Sequence, residues 1–164
     1  MPAGVSAYVP LATKTLTATQ STVTFSSISQ SYRDLILVVQ ANYGTATSGY
    51  YLRFNNDTTA VYGFSYLNAS STSVSGGRVT SMTFIPVNYA YPSSTNPALS
   101  TWHIFDYSDT SKTKPVVHRA GVAESETEMD TGIWRSASAI STVSVISNNV
   151  FGVGSTFSLY GVSA

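Results

Sequence analysis

Three features of the 164-residue chain predict an all-β fold, a single antiparallel β-sandwich of jelly-roll type. Apolar residues alternate with polar ones over short runs rich in Val, Ile, Thr, Tyr and Phe, the residues that fit a pleated and half-buried surface. Clusters of Ser, Gly, Asn and Pro separate those runs. Helix-forming residues do not recur at the 3.6 spacing that an amphipathic helix needs. The composition agrees with a folded domain, since 43% of residues are hydrophobic and 12% aromatic, too many for a disordered chain. Charged residues make up only 10%, against about 25% in an average domain, and 27 Ser and 21 Thr take their place.

Residues 1–12 hold Pro2 and Pro10 and show no alternation, so they are expected to form an extended N-terminal arm ahead of a domain spanning 13–164. Lys14 to Ala18 alternates, and Val23 and Phe25 alternate with Thr22 and Thr24. Ser27 to Tyr32 is the one short helical candidate and reads equally well as a turn. Asp34 to Ala41 is apolar at both parities, the mark of a strand covered on both sides. Tyr50, Leu52 and Phe54 share a face, and Asn55-Asn56-Asp57 then supplies turn chemistry, because Asn and Asp tolerate a left-handed backbone. Further strands are expected at 61–67, 78–88, 99–107, 116–123, 140–146 and 156–162. Residues 68–77, 89–97 and 108–115 read as turn-rich loops. Eight to ten short strands in one domain point to a sandwich.

Charge and motif content exclude several function classes. The net charge is zero and the eight basic residues are scattered, whereas duplex nucleic acid requires a basic face. The opening Met-Pro-Ala-Gly-Val-Ser has no basic or apolar segment of a signal peptide. The longest apolar run, Leu35 to Val39, is far too short to span a membrane. With no cysteine there is neither a disulfide scaffold nor a thiolate metal site. Nucleophile-elbow, phosphate-loop and His-Glu-x-x-His motifs are absent, so no enzyme activity and no cofactor is expected.

Two histidines, one acidic run and the tyrosines are the remaining candidates. On a strand, His103 shares a face with Phe105 and Tyr107 while Asp106 points the other way, so the two form no dyad and His103 reads as structural. His118 reads likewise. Glu124, Glu126, Glu128 and Asp130 would share one face if extended. Such a run is expected to be a solvated loop or a charged edge strand that discourages edge pairing, or a surface for a basic partner. A Ca²⁺ site built on these four oxygens is the weaker candidate. Eleven tyrosines, several beside Ser, Gly or Asn, suit an interface of adaptable contacts. The residues expected to bind a partner are Tyr8, Val9 and Pro10 in the arm, and Tyr50, Tyr51, Tyr89 and Tyr91 in the loops. Trp102 joins Tyr50, Tyr89 and Tyr91 as a candidate sugar-binding cluster.

Ser31-Tyr32-Arg33-Asp34-Leu35-Ile36-Leu37-Val38-Val39 followed by Leu52-Arg53-Phe54-Asn55-Asn56-Asp57 resembles the opening of a β-sandwich domain of tailed-bacteriophage structural proteins. Ile133-Trp134-Arg135-Ser136 through Ile140, Asn148 to Phe151 and Gly154 to Val162 resemble its closing strands. The spans 31–57 and 133–162 that enclose these stretches make up about a third of the chain. The resemblance implies a virion component assembled in the bacterial cytoplasm. The first expectation is a capsid decoration (cement) protein that binds the major capsid protein by interface burial, as a dimer or trimer. The alternative is a tail-fibre or baseplate module that binds host-surface glycans.

Overall fold

A computed structural model describes residues 7–43, 48–93 and 95–163. Twelve strands run in chain order: β1 (Tyr8–Thr15), β2 (Gln20–Phe25), β3 (Asp34–Ala41), β4 (Tyr50–Phe54), β5 (Tyr62–Ser70), β6 (Ser73–Met82), β7 (Ile85–Pro86), β8 (Ala98–Ile104), β9 (Lys114–Val122), β10 (Glu126–Trp134), β11 (Val143–Phe151) and β12 (Thr156–Val162). They divide unequally, as an eight-stranded sheet in the order β1-β12-β3-β8-β9-β10-β5-β6 and a four-stranded sheet in the order β2-β11-β4-β7. Every named pairing is antiparallel. The fold is thus the all-β sandwich that the alternation predicts, and Ser27 to Tyr32 contains no helix.

The core lies between the sheets because the strands inside each sheet turn one parity inward. Leu35, Leu37 and Val39 of β3 meet Trp102 and Ile104 of β8 and Phe157 of β12 in one continuous buried cluster with Leu52, Phe54, Val143 and Val145 of the small sheet. Aromatic rings bridge the two layers. Phe54 packs on Tyr62 and Trp134 with ring centroids 6.2 and 5.7 Å away, while the Tyr50 hydroxyl donates across the core to Ser100 Oγ at 2.9 Å. Each buried Tyr hydroxyl and Trp indole N–H among the described residues has a partner, which is the condition for burying Tyr and Trp at all.

The turn after β4 follows the expected chemistry. Asn55 and Asn56 both take positive φ, 49° and 55°. Asn55 also ties this turn to the segment leading into β11, donating to Ala139 O and accepting from the Ser141 and Thr142 amides through Oδ1. Asp57 accepts from Trp134 Nε1 at 2.8 Å. Lys114, wholly buried, caps the carbonyls of Asp109, Lys112 and Ala137.

Three expectations are corrected. Residues 8–12 of the expected arm form the first part of β1, paired from Tyr8↔Val162 to Ala12↔Leu159 on the edge of the large sheet; residues 1–6 lie outside the described residues. Pro10 is tolerated there because an edge strand leaves one side of its backbone unpaired, and the register shifts between Pro10 and Ala12. The expected loop 68–77 is instead the hairpin of β5 and β6, with β6 as the opposite edge. Gly77 leaves room in it for the Tyr66 side chain, whose hydroxyl and ring edge would stand 2.8–3.1 Å from a Cβ there. Past the turn that holds Glu124, the acidic run is neither loop nor edge: from Glu126 to Asp130 it belongs to β10, which pairs with β9 on one side and β5 on the other.

Candidate functional site

Two regions stand out once the strands are placed, one on the outer face of the large sheet and one on its inner face. The outer face follows from parity and register. Neighbouring residues across β8, β9, β10, β5 and β6 form the row Leu99-Gly121-Thr127-Ala69-Val74 and, beside it, Thr101-Arg119-Met129-Leu67-Gly76. A third row reads His103-Val117-Thr131-Ser65-Arg78. Leu99, Leu67 and Met129 are each 56% exposed and Val74 71%. Only Arg119 and Arg78 bring formal charge to these fifteen positions, and no carboxylate does. Large apolar side chains thus lie together on an open sheet with few charges, where monomeric surfaces seldom gather them.

On the inner face, His118 of β9 meets Glu128 and Asp130 of β10. Asp130 is paired directly with His118 in the register, and Glu128 sits one inward position along. His118 Nδ1 is 3.6 Å from Glu128 Oε1 and 3.5 Å from Asp130 Oδ2, and all three side chains are shut off from solvent. The imidazole stacks on Trp102 at 3.7 Å between centroids and 18° between planes, which holds the ring upright between the strands. Glu128 accepts from three successive amides, Asn88 at 3.1 Å, Tyr89 at 2.6 Å and Ala90 at 3.3 Å. Asp130 has no such help: both its oxygens and both His118 nitrogens lack a hydrogen-bond partner among the described residues. Burial, which disfavours the charged forms, pushes Asp130 up to about 7 and His118 down to about 4. Glu128 is raised for the same reason, against the pull of His118.

The acidic run therefore splits. Glu124 lies in the β9–β10 turn at φ 62°, and Glu126 is half-buried, so neither joins Glu128 and Asp130 in the cluster. The four-oxygen set expected for Ca²⁺ is replaced by one imidazole and two carboxylates. His118 is a member that strand alternation signalled only as an inward residue, between Val116 and Ala120.

The expected partner-binding residues also part company. Tyr8 is 58% exposed and Pro10 is exposed, with Val9 half-buried, all on the β1 edge. Tyr50 and Trp102 are buried in the core, which removes them from any surface cluster. Tyr51 is half-buried and stacks on Phe84 at 4.3 Å. Tyr89 and Tyr91 stay at the surface, Tyr89 with its ring 5.5 Å from that of Tyr66. His103 stacks on Phe105 at 3.8 Å and approaches Asp34 Oδ2 at 3.2 Å. Asp106 shares no bond with that imidazole; its amide donates to Asp34 Oδ1 at 3.0 Å. Compared with family models, with curated proteins and with solved structures, the chain matches none.

Proposed function

We propose that this chain is a non-enzymatic structural protein of a tailed-phage virion, a capsid decoration protein that stabilises the shell by burying the outer face of its eight-stranded sheet. The observation that carries the reading is the open face around Leu67, Leu99 and Met129, apolar and bearing two arginines and no carboxylate across three rows. Eight strands about 4.8 Å apart and roughly 23 Å long give a face on the order of 800 Å². That is one side of a standard protein–protein interface. The resemblance of the 31–57 and 133–162 stretches to phage virion sandwiches supports a virion partner, the major capsid protein or another virion protein. In this reading the protein reaches the virion by assembly in the bacterial cytoplasm, and copies meet as dimers or trimers on lattice symmetry axes. Residues 8–10 extend the same sheet at the β1 edge and belong to the contact.

Quantitative mass spectrometry of purified particles tests the proposal. A copy number comparable with that of the major capsid protein is expected. A handful of copies per particle would favour the tail module instead, whose glycan contact would rest on Tyr66, Tyr89 and Tyr91 at the surface and would be lost on Tyr89→Ala and Tyr91→Ala.

A further inference from the structure

We propose that His118, Glu128 and Asp130 form a structural site for one divalent first-row transition-metal ion, such as Zn²⁺ or Mn²⁺, inside the large sheet. The cluster is more than a group of acids. It includes an imidazole with no hydrogen-bond partner and an aspartate with none for either oxygen, all closed off from solvent.

The spacing suits a metal better than a shared proton. A hydrogen bond between nitrogen and oxygen would draw them to about 2.7–3.2 Å. Nδ1 instead stands 3.6 Å from Glu128 Oε1 and 3.5 Å from Asp130 Oδ2. Two ligands of a tetrahedral ion with bonds of about 2.0–2.1 Å lie roughly 3.4 Å apart. Neutral imidazole with two carboxylates carries two negative charges, which one divalent cation cancels, and among the described residues His118 is the one basic side chain within ion-pair distance of either carboxylate. A nitrogen ligand argues against Ca²⁺ and Mg²⁺, which prefer oxygen throughout, and imidazole with carboxylate suits Zn²⁺ and its neighbours. Asp130 Oδ1, also without a partner, is available to chelate. The Tyr89 and Ala90 amides hold Glu128 by Oε2 and the Asn88 amide donates to Oε1 itself, supporting hydrogen bonds of the kind that orient metal-binding carboxylates. His118 Nε2 keeps no partner either way. An ion here ties β9 to β10 and, through Glu128, to the 88–90 segment, and it exchanges only when that segment opens.

The test is to refold the full chain from denaturant and chelator with Zn²⁺, Mn²⁺, Co²⁺, Ca²⁺ or Mg²⁺, then measure retained metal after gel filtration and thermal unfolding. One equivalent of a transition ion per chain is expected, with Tm raised by about 5–10 °C at 100 times the Kd, and Co²⁺ should show ligand-field absorption of a nitrogen–oxygen site. His118→Gln and Asp130→Asn should each lose the ion and its Tm increment. Wild-type protein that retains no transition ion and melts identically with and without each would overturn the site, whether or not the variants fold. Preferential retention of Ca²⁺ or Mg²⁺, or undiminished retention by both variants, would overturn the assignment equally.

Discussion

Met129 and Leu67 face each other across β10 and β5, and each is 56% exposed. Burying a whole Met or Leu side chain contributes about 1.5–3 kcal/mol. The share still open on each residue is therefore about 0.8–1.7 kcal/mol, or about 1.7–3.4 kcal/mol for the pair. Replacing both by Glu removes that gain and places uncompensated charge against the partner. Affinity for shells lacking the protein should then fall by at least roughly 15- to 300-fold. Fold stability should change by less than about 0.5 kcal/mol per site, because both side chains point to water in the free chain. Cosedimentation with empty shells measures the first quantity and urea unfolding the second. Wild-type affinity in Met129→Glu/Leu67→Glu protein would refute the assignment of the interface to this face.

Other predictions concern the sandwich itself. Burial would raise the Asp34 carboxyl, but hydrogen bonds from the Asp106 amide, Arg33 and His103 outweigh it and hold the group below the usual carboxylate range. Its contribution is thus complete above the unfolded value of about 4 and is lost as pH falls through the folded value. Urea midpoints should drop less steeply with acid in Asp34→Asn than in wild type, and parallel curves would contradict this. A Cβ at Gly161 would run into the Tyr32 ring. Gly161→Ala should therefore cost about 1–3 kcal/mol, and Tyr32→Ala should relieve part of it in a double-mutant cycle; strict additivity would refute the steric cause. Asn55→Ala loses three hydrogen bonds and strains a positive φ, costing about 2–4 kcal/mol by calorimetry. Asn55→Gly should recover only the backbone part.

Strands with an apolar parity were legible in the sequence, and those without one were not. β3 and β4 announce themselves through Leu35 to Val39 and through Tyr50, Leu52 and Phe54. β6 carries Ser73 to Gly77 and buries almost nothing, so its strand character comes from pairing with β5 and leaves no hydrophobic trace. β10 misleads in a different way. Alternating acids read as a solvent face, yet Trp134 continues the parity of Glu128 and Asp130 and is 2% exposed, which was the available sign that this parity points inward. The same reasoning explains the tyrosines. Tyr50 and Trp102 lie on inward parities with hydroxyl and indole satisfied by Ser100, which sits two residues from Trp102 on β8 and which only the packed sheets bring near Tyr50. The outer face depends on register between five strands, which local pattern does not encode.

Met129 also serves as a built-in probe of that face, because hydroxyl radicals oxidise exposed methionine readily. Footprinting of the free and shell-bound protein, read by peptide mass spectrometry, tests the central claim most directly. Binding should suppress oxidation of Met129 and of neighbouring Leu67, while Tyr91, away from the three rows, keeps its free reactivity. Undiminished Met129 oxidation in the bound protein would contradict the account.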